Sequence, residues 1–266
     1  MATLTDPARE LADICTALNI DTQEQGDALL ARVFEVESWS TEFFQILFTI
    51  QHRVDELIGI VRELDMDDDF KAEAMGHIQQ IRTAFTQTGT VNRWSHSVQH
   101  YLSPQSVGPL KMLSMQVRTT HAYPRLTDEE RTELLAEVDQ LLVWLRDHQL
   151  REHDFIRAAL IDGMEQFRFR LHRLRWLGWG YTLASLLEVI GAYLALEASA
   201  PDAADTPDAA AMLAKIRAVV GSVFEKAGVA KEVVELGEFG LKAYGAVSLY
   251  IAGKPSVAGL LTSMTG

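Results

Sequence analysis

The spacing of apolar residues along this chain is that of α-helices almost throughout. Apolar side chains recur three and four positions apart, which places them on one face of a helix. Runs of alternating apolar and polar residues between hairpin turns, the pattern of β-strands, do not occur. The sequence therefore predicts an all-α fold: a multi-helix bundle of long amphipathic helices followed by an apolar helical region rich in small residues.

Local signals predict where the first helices begin and break. Pro7 suits the first turn of a helix that ends near Leu18, because the first turn leaves its N–H groups unpaired. Thr22 and Gln25 have the spacing of a capping box ahead of the next helix. The long apolar pattern that follows is expected to break near Trp39, where neighbouring hydroxyl side chains compete with helical hydrogen bonds.

The middle of the chain combines an acidic run with a stretch rich in turn residues. The aspartates in 65–69 lack the oxygen spacing of a calcium loop and favour capping of a helix that extends to about Phe85. Turn residues punctuate 86–123, where we predict irregular structure and one short helix near 111–118. Thr127 and Glu130 then predict a capping box, and two apolar stripes joined near 149–152 predict an antiparallel helical hairpin.

Composition changes after Trp176. Eleven of the 17 glycines lie from Gly178 onward, together with many alanines. We therefore divide the chain into an amphipathic helical body, 1–175, and an apolar region rich in glycine and alanine, 176–266, with the best linker candidate at 199–208. The two parts are predicted to unfold as one cooperative unit.

The stretch 168–208 has the order of a membrane-inserting helix: a basic collar, an apolar span at 176–196 and an acidic flank. At about 1.5 Å per residue the span would measure roughly 30 Å as one helix, the thickness of a bilayer core. The candidate membrane or interaction residues are the collar arginines and the aromatic residues of the span, with one acidic residue inside it. They are Arg168, Arg170, Arg173, Arg175, Trp176, Trp179, Tyr181, Glu188 and Tyr193.

Glu188 makes a permanent membrane span unfavourable. A carboxylate near the centre of a bilayer costs on the order of 3 kcal/mol. The same stretch also suits a buried helix of a soluble bundle, in which Glu188 would face water, pair with an arginine or act as a pH trigger. A second apolar tract, 233–252, carries several glycines that permit close helix contacts, so an inducible helical hairpin is the membrane-active alternative.

Charge and composition narrow the partners. The net charge of −13 and the isoelectric point near 5.0 make a nucleic-acid ligand unfavourable, because phosphate binding needs a basic surface. Cys15 is the only cysteine, and its apolar neighbours predict a small buried hydrophobic side chain. The first residues do not form a basic and then apolar leader, so we expect a cytoplasmic protein with peripheral or inducible membrane association as the alternative.

Two groups of residues suggest chemistry without completing a site. His96 and His100 share one helix face and would supply two ligands to a metal such as zinc. Arg146, Asp147 and His153 resemble the Arg-polar-His motif of HEPN ribonucleases, a helical family in which the resemblance implies that the arginine stabilises phosphate charge and the histidine assists attack by a ribose hydroxyl. No cofactor is expected.

The pattern as a whole favours a non-enzymatic helical interaction protein. Its C-terminal apolar helices would engage a protein partner, a second copy of the chain or membrane lipid. A triggered membrane-disrupting toxin or defence effector is the sharpest form of this hypothesis. The alternatives are an HEPN-like metal-independent ribonuclease and a soluble scaffold.

Overall fold

The computed structural model of the chain describes residues 4–149, 154–199 and 207–227. Helices account for most of these residues, which confirms the all-α fold, and the strands described are β1 (Leu4–Thr5) and β2 (Tyr123–Pro124). The chain forms two compact units. The first unit contains Leu4–Ala122 and the short segment Arg175–Gly178, and the second contains Tyr123–Leu174 and the described residues from Trp179 onward.

The first unit is built from seven helices before the chain leaves it. They are α1 (Pro7–Leu18), α2 (Gly26–Phe34), α3 (Thr41–Glu63), α4 (Asp68–Ala84), α5 (Gln87–Val91), α6 (Trp94–His100) and α7 (Pro104–Val117). Within it α7 packs on α1 and α4, and α3 packs on α4.

The second unit places two long helices beside each other and adds the helices that follow. They are α8 (Asp128–Asp147), α9 (Asp154–His172), α11 (Trp179–Ala184), α12 (Leu186–Ser199) and α13 (Pro207–Lys226), and the short α10 (Leu174–Leu177) lies between α9 and α11 in the chain. Its core is formed where α9 packs on α8 and α12, and where α13 packs on α8 and α12.

Most of the predicted helix starts are confirmed. Asp6 caps α1 and accepts the Arg9 backbone N–H at 2.9 Å, with Pro7 in the first turn. Asp67 caps α4. Thr127 and Glu130 form the predicted capping box of α8, since each side chain accepts the other residue's backbone N–H. These signals are local, so the sequence alone is enough to place them.

Two predictions in the first unit are wrong. Thr22 and Gln25 do not form a capping box: α2 begins at Gly26, whose N–H donates to the Asn92 carbonyl, while Thr22 accepts the Glu24 N–H. The stretch 86–123 is not irregular, because most of it folds into α5, α6 and α7; the short helix predicted near 111–118 is part of the longer α7. Contacts of α7 with α1 and α4 stabilise a helix that its glycine and its internal proline weaken.

Cys15 lies in the core of the first unit, as predicted. Its side chain is fully buried, and burial raises the pKa of the thiol to about 12. The thiol is therefore protonated at neutral pH and shielded from reagents. Because it is the only cysteine of the chain, its labelling reports the unfolding of the first unit specifically.

The helical hairpin of the second unit is confirmed, although 150–152 of its predicted turn near 149–152 lie outside the described residues. The Arg146 guanidinium lies 2.6 Å from the Glu165 carboxylate, and Arg157 donates to the Leu145 carbonyl at 2.9 Å. These two contacts join α8 and α9, which pack against each other in antiparallel directions. The grouping of 123–174 with residues after 179 differs from the sequence-based division near residue 175, and unfolding as one cooperative unit stays a prediction.

Candidate functional site

The predicted apolar span, 176–196, is not one continuous helix. It is divided among α10, α11 and α12, with breaks at Gly178 and Ser185. Gly178 has φ +79°, a conformation that side chains rarely adopt. A Cβ atom at this glycine would lie 2.9 Å from the Arg53 guanidinium, so close approach also favours glycine. The first break therefore comes from how 175–178 packs in the first unit.

Among the described residues, α11 and α12 together form one stretch, Trp179–Ala198, with the length and apolar composition needed to cross a membrane. Half of it is buried inside the protein, and a core helix of a soluble protein meets the same criterion. On α12 the side chains of Leu186, Val189 and Ile190 are buried in the core of the second unit. The observed packing is that of a core helix.

Three of the four aromatic rings of the span are buried, and the fourth is half-buried. Trp176 is buried in the first unit, where its ring centroid lies 5.1 Å from that of Phe34. Trp179 and Tyr193 are buried in the second unit. Tyr181 is half-buried, and the Arg170 guanidinium lies 4.3 Å from its ring centroid. Packing within each unit therefore accounts for these four rings.

The four arginines of the basic collar also contact other residues of the chain. Arg168 forms a short ion pair with Asp139, and Arg170 donates to the Tyr181 carbonyl at 3.2 Å. The guanidinium of Arg173 lies 4.3 Å from the centroid of the Phe169 ring, and that of Arg175 lies 5.2 Å from the Trp176 ring. Each arginine thus has an intramolecular partner that would compete with lipid phosphates.

His172 lies within this collar. Partial desolvation of the ring, with the neighbouring Arg168 and Arg173, lowers the pKa of His172. The imidazole is therefore neutral at neutral pH and adds no charge to the collar.

Glu188 is exposed on α12. The Glu188 carboxylate is therefore not enclosed by apolar side chains, as a buried ion pair with an arginine would require. The other possibility named for a soluble bundle, an acidic residue facing water, is the one observed.

The candidate metal ligands lie together but without further ligands. His96 and His100 are exposed on α6 with ring centroids 4.4 Å apart. Groups of three or more histidine, cysteine or acidic side chains that could hold a metal do not occur in 4–149, 154–199 or 207–227. Tyr101 is their aromatic neighbour, at 6.0 Å from His96.

Two of the three candidate ribonuclease residues, Arg146 and Asp147, lie among the described residues. Arg146 and Asp147 are exposed at the end of α8, and Arg146 is paired with Glu165 on α9. His153 lies outside the described residues.

A different surface of the first unit stands out: three exposed aromatic rings in a row, which we call the aromatic ladder. Trp39, Phe44 and Phe48 are 48%, 36% and 63% exposed. The ring centroids of Trp39 and Phe44 are 5.8 Å apart, and those of Phe44 and Phe48 are 5.9 Å apart and stacked. A contiguous group of exposed apolar side chains of this kind is a candidate binding site.

The backbone presents Trp39 in a strained conformation. Trp39 has φ +64°, which costs about 1–2 kcal/mol for a residue with a side chain. Its indole N–H donates to the Asp27 carboxylate at 2.7 Å, and Ser38 donates to the same oxygen at 3.3 Å. Ser40 then caps α3. The connection between α2 and α3 therefore fixes the indole beside Phe44. The predicted break of the helical pattern near Trp39 is confirmed, because Trp39 lies between these two helices.

The aromatic ladder contacts a buried ring of the core, that of Phe43. Phe43 is fully buried and lies 5.8 Å from both Trp39 and Phe44, and it contacts Phe34 at 6.4 Å between centroids. Phe44 and Phe48 were not among the predicted site residues, because they lie beside the apolar stripe of α3 rather than in it. Their i,i+4 spacing next to an exposed tryptophan is the signal that points to them.

Comparisons of the chain with family models, with curated proteins and with solved structures show no significant match. The functional argument therefore rests on this chain's own residues, and the aromatic ladder is its strongest candidate site.

Proposed function

We propose that this chain is a non-enzymatic interaction protein that binds a helical segment of another protein on the aromatic ladder. The observation that carries the proposal is the row of three adjoining rings, exposed together on α3 and just before its cap. Aromatic side chains supply large contact area at low entropic cost and dominate the energetics of protein interfaces. The ion-paired Arg146 and the two-ligand histidine pair give weaker support to a chemical function.

A display library of amphipathic helices tests this proposal. Helices are selected on the wild-type protein and then compared on the double variant Phe44→Gln/Phe48→Gln. We expect selected helices to lose binding to the variant but to keep binding to Phe70→Gln, which removes an exposed aromatic residue elsewhere on the first unit. Selection that yields only helices indifferent to Phe44 and Phe48 would overturn the proposal.

Membrane association through Trp179–Ala198 is the second candidate, favoured by the length and composition of that stretch. Insertion would require α12 to leave its packing against α9, where Val189 lies close to Gly163. The packed arrangement supports a soluble role for α12 over insertion.

Flotation with neutral and anionic vesicles, with dye release measured across pH, separates the two candidates. We expect the protein to stay with the soluble fraction and the vesicles to stay intact. Glu188→Leu sharpens the test, because it removes an exposed charge from the centre of the stretch and would favour insertion by about 3 kcal/mol if the stretch entered a bilayer. Flotation and release that increase in Glu188→Leu would favour the membrane candidate.

A further inference from the structure

We infer that the partner of the aromatic ladder is a cationic amphipathic helix, one whose apolar face packs on the rings and whose lysine or arginine side chains flank that face. This inference rests on the proposed function and specifies the chemistry of the partner. Three observations carry it: the charge around the ladder, the geometry of its rings and the fixed orientation of Trp39.

The segment that carries the ladder, 35–56, is acidic. Five acidic residues between positions 35 and 56 are exposed: Glu35, Glu37, Glu42, Asp55 and Glu56. The one lysine or arginine in this part of the sequence is Arg53. Its side chain is only 10% exposed and is ion-paired with Glu10, and it donates to the Trp176 carbonyl at 3.0 Å. Asp55 is ion-paired with Arg82 of α4 at 3.3 Å. A cationic ligand bound to the rings therefore meets a segment with five exposed acidic residues and no exposed arginine or lysine of its own.

The geometry of the rings suits a helix lying along α3. Phe44 and Phe48 are one helical turn apart, which is about 6 Å along the axis, and Trp39 extends the row beyond the start of α3. Apolar side chains at i, i+3, i+4 and i+7 of a partner helix repeat at a matching interval. Because Asp27 and the backbone already fix the Trp39 indole, little conformational freedom is lost on binding. The exposed indole face can also accept a lysine or arginine.

Charge distinguishes this occupant from two others. A second copy of the chain would bring the same acidic surface against itself, and each chain carries a net charge of −13. An anionic lipid surface would be repelled by the same carboxylates. Opposite charge, in contrast, speeds association and selects the partner.

Synthetic amphipathic helical peptides test the inference by fluorescence anisotropy on the full chain. The peptides share one apolar face and carry lysine, glutamine or glutamate on the flanks. We expect the lysine peptide to bind most tightly and its affinity to fall with added salt. Phe44→Gln/Phe48→Gln should weaken its binding by about tenfold or more, and Glu37→Gln, two residues before Trp39, by a few-fold with a smaller salt dependence.

Matched controls keep the result specific. Phe70→Gln removes an exposed aromatic ring from α4, and Glu129→Gln removes an exposed carboxylate from the second unit; both should bind the lysine peptide as the wild type does. Protection of Cys15 from thiol reagents shows that the first unit of each variant is folded.

The outcomes separate the inference from the proposed function. Equal, ladder-dependent binding of the lysine and glutamine peptides overturns the inference and leaves the interaction function standing. Binding of no peptide through the ladder, with a display selection that also yields none, overturns both. Vesicle binding lost in Phe44→Gln/Phe48→Gln, or a dimer lost in the same variant, assigns the ladder to lipid or to a second copy and overturns the inference.

Discussion

Gly89→Ala is expected to destabilise the first unit by about 4 kcal/mol or more, enough to unfold many domains of this size. A Cβ atom at Gly89 would lie 1.9 Å from the carbonyl oxygen of Ala84. The backbone of Gly89 also lies close to Gly26, since a Cβ atom at Gly26 would lie 2.1 Å from the Gly89 oxygen. Both obstacles are backbone atoms, so a rotamer change cannot relieve the overlap. Urea denaturation followed by Cys15 labelling measures the loss in the first unit.

Gly76→Ala is the matched control. Gly76 lies exposed in the interior of α4, and an added Cβ would meet nothing within 4 Å. Alanine there should raise the free energy of unfolding by about 0.5–1 kcal/mol, since it reduces the freedom of the unfolded chain and suits a helix better. Wild-type stability of Gly89→Ala in the same assay would show that the α4–α5 turn does not pack as described.

Trp94→Ala should cost the first unit about 3–5 kcal/mol. Trp94 is fully buried at the start of α6, and its indole N–H donates to the Leu18 carbonyl at 2.8 Å, at the end of α1. Alanine removes the largest fully buried side chain of the described residues and leaves a cavity. It also leaves the carbonyl without this donor. Thermal or urea denaturation, again with Cys15 labelling, gives the magnitude.

Trp94→Phe separates the two contributions. Phenylalanine keeps much of the ring volume but lacks the N–H, so the variant should lose about 1–3 kcal/mol, part of it from the lost indole hydrogen bond to the Leu18 carbonyl, which still accepts the Ile20 N–H. Trp39→Phe makes the same exchange at a half-exposed tryptophan whose N–H bonds to the Asp27 carboxylate, and it should cost less than about 1 kcal/mol because water can replace that bond. Equal losses at Trp94 and Trp39 would contradict the buried position of Trp94.

Local signals in the sequence were enough to predict where α1, α4 and α8 begin, because the caps at Asp6, Asp67 and Thr127 satisfy backbone groups within three residues of themselves. The start of α2 could not be found in this way. There the backbone of Gly26 bonds to Asn92, 66 positions along the chain, and this contact overrides the capping signal at Thr22.

The apolar span shows the same limit more clearly. Its composition matches both a membrane span and a core helix, so the pattern alone did not decide between them. The break at Gly178 depends on Arg53, which lies more than a hundred positions earlier and had no distinguishing sequence context. The burial of Trp176 likewise depends on Phe34.

The aromatic ladder escaped prediction for a different reason. A search for chemistry concentrates on titratable and metal-binding side chains, whereas the ladder consists of rings without a charge. Phe44 and Phe48 are distinguishable from core residues only by which side of α3 they occupy, and that side is set by the packing of Phe43 and Ile46. A half-turn of difference on one helix thus separates a core residue from a candidate contact residue.

The excursion of residues 175–178 into the first unit has a genetic consequence. A stop codon after Ala122 would keep α1 to α7 but delete Trp176, the ring neighbour of Phe34, and the carbonyl that accepts from Arg53. Recombination at a single point therefore cannot transfer the first unit intact to another gene.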